Sequence, residues 1–204
     1  MSKNILFLGG GNFHPIEEMF IFRDILKGLN IVFTEDNDSL LEGNIKNFDL
    51  IIFSKTDAFL SEEQSESLKE AIIGNPWGKY GSPKNFIGIH AASTTKNEWF
   101  SKMLGAKFLT HPEISRFKVL KERKKLTNNI KNFEIEDELY MMEYFPPFET
   151  LLYNFYEGFK LPLCWIKPYG LGKVFYFALG HSSKTFENIN IVRLIQNVVV
   201  YLTN

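Results

Sequence analysis

The chain has a single cysteine, Cys164, among its 204 residues, so no internal disulfide can form and a reducing cytoplasm is the natural setting. It has no apolar run of membrane length and no charged-then-apolar leader. The opening "NILFLGG" begins too early and is too short for either, so no membrane partner is expected. Positive charge is not in excess: 23 Lys and Arg against 24 Asp and Glu leave a formal net charge of −1. Phosphate binding is driven by clustered cations that release counterions, so no nucleic-acid partner is expected. The one basic cluster, Lys121 to Lys125, is accounted for as a solvated face. Histidine is scarce as well, four in all, which makes the position of each one informative.

Aromatic residues are abundant. Twenty Phe, eight Tyr and three Trp within 45% hydrophobic residues supply a large core. At this length a chain buries roughly 70% of its unfolded surface as one domain, taken here as residues 1–204. Local signals alternate strand and helix. "NILFLGGG" predicts a buried strand and a glycine loop, "HPIEEMFIFRDILKGLN" a helix, "IVFTED" and "FDLIIFS" two strands with room for a short helix between them. "SEEQSESLKEAIIGN" predicts a helix that starts at Ser61 and ends at Gly74, and "NFIGIH" a fourth strand. This alternation points to an α/β, flavodoxin-like, mainly parallel sheet with helices on both faces. After the next helix the rhythm fails. Residues of about 110–159 are expected to form an insertion packed on the sheet edge, before "LPLCWIKPYGLGKVFYFALGH" returns two strands joined by a glycine turn and "INIVRLIQNVVVYL" closes with an amphipathic helix.

Three of the four histidines fall at predicted strand ends: His14 after the Gly9–Gly11 loop, His90 after strand four, and His181 after the last strand. Ligands in open α/β sheets bind beyond the carboxyl ends of the strands, so these three mark a candidate site. Carboxylate partners are sought in "EIEDELY", where an extended chain would place Glu136, Glu138 and Tyr140 on one side and Asp137 on the other. The glycine loop lacks nucleotide-binding spacing, so its expected use is close approach of backbone to a ligand beside Asn12 and His14.

In chain order, Gly9–Gly11 followed by His14, "GIHAAS" with Trp99 and "LGAKFLTHP" behind it, "EDELY" and "PLCWIKPYGLGKVFYFALGH" resemble the trehalose-utilisation (ThuA-like) family. That family is similar to the class I glutamine amidotransferase-like superfamily. Amidotransferases carry an elbow Gly-x-Cys-x-Gly and a later His-x-Glu; here the elbow is Gly88-Ile89-His90-Ala91-Ala92, and Ser183 stands two residues after His181. The nucleophile is missing, so thiol-based glutamine hydrolysis is not expected. The resemblance implies carbohydrate catabolism, with a small sugar-like molecule or keto-sugar derivative as ligand. His90, His111, His181 and Glu138 are the expected catalytic residues, and Asn12, His14, Ser93 and Tyr140 the expected substrate contacts. The imidazoles suit either proton transfer near neutral pH or a divalent transition metal, and the sequence leaves both open, as it does a homo-oligomer. A non-catalytic sugar-binding or regulatory domain is the alternative. An elbow side chain is expected to project into the cleft, so His90→Ala should spare stability.

Overall fold

The structure, a computed structural model, describes residues 2–75, 78–80 and 82–204. The first half follows the predicted alternation. β1 (Asn4–Gly10) leads through a 3-10 turn, Ile16–Ile21, into a single-turn α1 (Phe22–Ile25). The expected longer helix is thus split, its first part wound more tightly. β2 (Asn30–Thr34), α2 (Glu42–Ile45), β3 (Leu50–Lys55), α3 (Glu62–Ile73), β4 (Asn85–Ile89) and α4 (Glu98–Leu104) follow. Ser61 caps α3 in a reciprocal capping box with Gln64, and Gly74, at φ 72°, ends it in a conformation a Cβ disfavours.

Residues 110–159 are mostly strand. β5 (Ala106–Thr110) pairs with β8 (Met141–Tyr144) in a separate two-stranded ribbon, between which come β6 (Ser115–Lys121) and β7 (Phe133–Asp137). β9 (Glu149–Tyr156), β10 (Phe159–Tyr169) and β11 (Gly172–Phe177) lead to the closing helix α5 (Ile189–Thr203). The main sheet has the order β2-β1-β3-β4-β11-β10-β9-β6-β7. Its first five strands are parallel, in the flavodoxin-like order, and the remaining four continue it as an antiparallel extension.

Two cores lie on opposite faces of the parallel half. Ile5, Phe7, Ile52, Ile87 and Phe175 pack against α1 and the apolar stripe Ile191, Leu194, Ile195, Val198 and Leu202 of α5. Their strand neighbours Leu6, Ile51, Phe53, Phe86 and Val174 pack against α3 and α4. Alternate residues of each strand therefore face different helices, which is why these strands are apolar throughout. Among the described residues no helix is long and apolar enough to cross a membrane.

The elbow after β4 depends on small residues. A Cβ added at Gly88 would stand 2.4 Å from Leu104 Cδ1, 3.1 Å from Tyr176 Cδ2 and 3.3 Å from Ala92 Cβ. Strand and turn cross closely here because neither side carries bulk. Gly88→Ala should therefore lower stability by about 1–3 kcal/mol through overpacking. Urea unfolding with an unchanged denaturant slope is the measurement; an unshifted midpoint would show that Leu104 and Tyr176 yield freely.

Candidate functional site

The carboxyl ends of the parallel strands deliver the imidazoles. His14 lies in the loop after β1, His90 directly after β4, and His181 four residues after β11. His90 takes φ 41°, a left-handed backbone conformation that is uncommon outside glycine and recurs at functional turns. The turn is braced from below. The Tyr176 hydroxyl donates to the His90 carbonyl at 2.8 Å, and the Ser93 hydroxyl lies 3.1 Å from the same oxygen and 2.9 Å from Tyr176.

Glu138 reaches this edge from the other half of the sheet. It lies just past the end of β7, and its carboxylate is the meeting point of the site. Oε2 stands 3.1 Å from His90 Nε2, and Oε1 stands 3.1 Å from His181 Nδ1 and 3.5 Å from His111 Nε2. His14 Nε2 closes the group at 3.3 Å from His181 Nδ1. One ligand-capable atom from each of His14, His90, Glu138 and His181 lies within 4.8 Å of the other three. Three nitrogens and one oxygen at such spacing suit a small transition-metal ion.

The hydrogen bonds around the rings decide which nitrogens are bare. His90 Nδ1 is 2.7 Å from the Ala178 carbonyl and His111 Nδ1 is 2.8 Å from the Pro112 carbonyl. A carbonyl only accepts, so both Nδ1 atoms carry protons. In their neutral forms, both rings then turn a bare Nε2 toward the same carboxylate. Lone pairs facing a carboxylate repel unless a cation stands among them, either a proton on the ring or a metal ion. His14 completes the pattern with Nδ1 2.7 Å from the Thr56 hydroxyl.

Charge follows from this geometry. Burial of His14, then the positive charges of His90 and His181, press its pKa from 6.5 down to about 4, against the pull of Glu138. Burial works to raise Glu138, but the hydrogen bond from His90 and the charges of His90, His181 and His111 outweigh it and hold the carboxyl below its usual value. Cys164 is fully buried within β10, and burial pushes its thiol well up, so it supplies no thiolate.

The expected site residues separate into three groups. His14, His90, His181 and Glu138 converge, with His111 on the partly exposed rim. Tyr140 is at the site through its ring, which stacks on His90 with centroids 4.1 Å apart. Ser93, expected as a substrate contact, is buried, and its hydroxyl braces the elbow, because the turn after His90 winds inward. Asn12 stands exposed on its loop and makes no hydrogen bond to the cluster among the described residues. The alternation expected for Glu136 to Tyr140 also fails, since β7 ends at Asp137: Glu136 stays exposed beside Lys184 while Glu138 turns in. Nor does the elbow project His90 into an open cleft; the residue is fully buried.

Two residues support the cluster, of which Thr56 escaped the sequence reading and Asp137 was among the carboxylates sought in "EIEDELY". Thr56 follows β3, at the edge where the strand-end rule already pointed, and holds the His14 ring. Asp137 accepts from the backbone N–H groups of Glu138, Gly180 and His181 and from the Thr185 hydroxyl, which ties the end of β7 to the loop carrying His181.

The strand order and the histidine elbow define an α/β protein on an amidotransferase-like scaffold without its thiol. The family model for ThuA, trehalose utilisation, matches residues 4–202, and the chain belongs to that family. No curated protein matches the chain in sequence. Among solved structures it is similar to a ThuA-like protein from Bacteroides uniformis ATCC 8492, at 16% identity and TM-score 0.78 over 98% of this chain and 91% of that one. A cytoplasmic protein from Salmonella typhimurium LT2 matches at 11% identity and TM-score 0.72, over 98% of this chain and all of that one. A β-galactosidase from Bacillus circulans sp. alkalophilus matches at 9% identity and TM-score 0.67, over 98% of this chain and 31% of that one. At these identities the neighbours show the fold alone.

Two outcomes follow from the site. His90→Ala should cost about 1–3 kcal/mol, because it leaves the Ala178 carbonyl without its donor in a buried place. A melting temperature equal to wild type would contradict the packing described. In chelator-treated protein, unfolded His14 takes up a proton near pH 6.5 and the folded form only near 4. Stability should thus be fully present above about pH 6.5 and fall as the pH drops toward about 4. The Glu138 contribution is lost only below its unfolded value of 4.5, so the windows separate. Urea titrations of wild type and His14→Gln should show a flatter profile in the variant across the upper window; equal slopes would place the linkage elsewhere.

Proposed function

We propose that the chain is an enzyme of carbohydrate catabolism acting on a sugar or keto-sugar derivative, and that His14, His90, His181 and Glu138 hold a divalent transition metal at its centre. The observation that carries this reading is the protonated Nδ1 of His90, which in the neutral ring leaves a bare Nε2 facing the Glu138 carboxylate, within a cluster that also holds His14 and His181. A cation satisfies all of these groups at once. The carbonyl partner that holds the His90 ring is the kind of support that metal-ligating imidazoles normally have. Family membership supports the carbohydrate class.

A bound divalent metal would act as a Lewis acid toward a substrate oxygen. The remaining chemistry falls to side chains outside the ligand set. His111 lies on the rim, its Nε2 3.5 Å from Glu138 Oε1, and is the imidazole placed to serve as a base. A keto group acidifies the adjacent C–H. A base can remove that proton, the electron pair forms a carbon–carbon double bond, and the glycosidic C–O bond breaks as the leaving oxygen takes up a proton. No covalent nucleophile is needed, in keeping with an elbow that carries histidine.

Elemental analysis after chelation and reloading tests the metal. Wild type should retain about one equivalent of zinc, manganese or nickel, and His90→Ala and Glu138→Gln should each retain far less. With metal at about a hundredfold above its dissociation constant, unfolding should become harder by roughly 2.7 kcal/mol. A wild-type protein that keeps no metal and shows no such shift would leave the site as a proton relay.

A further inference from the structure

The loop after β3 sits at the middle of the sheet's carboxyl edge, since β3 lies between β1 and β4. It carries Thr56, the partner of His14, and next to it Asp57. Asp57 takes φ 49°, one of three positive values at non-glycine positions among the described residues. Another is His90, and the third, Glu157, belongs to the turn between β9 and β10. The Asp57 backbone N–H donates to Thr94 Oγ1 at 2.7 Å, and the Thr94 hydroxyl donates to the Ala91 carbonyl at 2.8 Å. Asp57 is therefore pinned between the His14 loop and the His90 elbow. Its carboxylate is exposed, accepts no hydrogen bond and forms no ion pair among the described residues, and it lies outside the four-residue ligand set. It is near enough to the site for its charge to act on the buried Tyr140 phenol.

On the adjoining loop Phe13, 71% exposed, directly precedes His14. The two loops are in contact: Thr56 N–H donates to the Gly10 carbonyl at 3.0 Å, and a Cβ on Gly11, at φ 119°, would stand 2.9 Å from Thr56 Cβ. Two adjoining loops at this edge thus carry an exposed carboxylate, on a backbone anchored by Thr94, and an exposed phenyl ring.

We propose that Asp57 and Phe13 form the carbohydrate subsite, Asp57 accepting hydrogen bonds from two neighbouring ring hydroxyls while the apolar face of the pyranose rests on Phe13. A carboxylate can take both hydroxyl protons in charge-assisted bonds, and a phenyl ring covers the C–H face that the hydroxyls leave bare. A divalent metal and three imidazoles next to these loops disfavour a cationic ligand, which argues for a neutral polyol. This assignment rests on the reading of the site as a metal centre for carbohydrate.

The test uses the full-length chain, reloaded with zinc after chelation, and methyl α-D-glucopyranoside as probe. Titration and saturation-transfer NMR should show saturable binding, with the ring C–H protons receiving the transfer. Asp57→Asn should weaken it about 10- to 100-fold, the usual cost of losing hydrogen bonds to a charged group. Asn accepts the left-handed conformation as readily as Asp, so the variant keeps the loop. Phe13→Ala should weaken binding and remove the C–H transfer. Both variants should hold the same zinc as wild type. Wild-type affinity in both, or loss of zinc in Asp57→Asn, would overturn the subsite. A wild-type protein that holds zinc and ignores the pyranoside would sink the subsite alone; binding through Asp57 in protein that holds no metal would sink the metal reading alone.

Discussion

The Glu138 carboxylate is the interaction on which the site depends. Burial alone would make its charge costly, and the costs of like charges would keep several imidazoles from gathering on one edge. Together they offset one another: the carboxylate satisfies the rings, and the rings hold the carboxyl ionised. The two halves of the sheet meet in that exchange. The parallel strands deliver His14, His90 and His181, while the antiparallel extension, which adds nothing to the flavodoxin-like order, delivers the negative charge. Asp137 makes the delivery accurate. Its carboxylate ties the end of β7 to Gly180 and His181, so Glu138 arrives in a fixed place relative to the last ring.

The parallel half was legible because its signals are long and local. β1, β3 and β4 are apolar runs, β1 ending in glycine and β4 leading into His90, and α3 is bracketed by Ser61 and Gly74. The stretch 110–159 was not, although the alternations Phe117/Val119 and Phe133/Ile135 are present in it. Each is short, charged on its open side and broken by turns, and nothing local tells β6 that its partners are β7 and β9.

Within the site, strand ends located the histidines because the parallel topology carries that rule. Residues beyond the regular elements were harder. Ser93 follows His90 by three positions, and only the inward winding of the turn puts its hydroxyl beneath the elbow with Tyr176. Glu138 and Glu136 look alike in sequence, and the end of β7 at Asp137 sends them to different environments. The same elbow that lifts a nucleophile in amidotransferases here holds a fully buried ring by its Nδ1 proton and its stacking on Tyr140. An anchored ring is a poor nucleophile and a well-oriented ligand.

The most direct measurement is an anomalous diffraction map from crystals of the reloaded protein, collected above and below the absorption edge of the metal supplied. The account predicts one peak at about 2.0–2.2 Å from His14 Nε2, His90 Nε2, His181 Nδ1 and one Glu138 oxygen. A map with no peak among these four side chains, from protein saturated with metal, would contradict it.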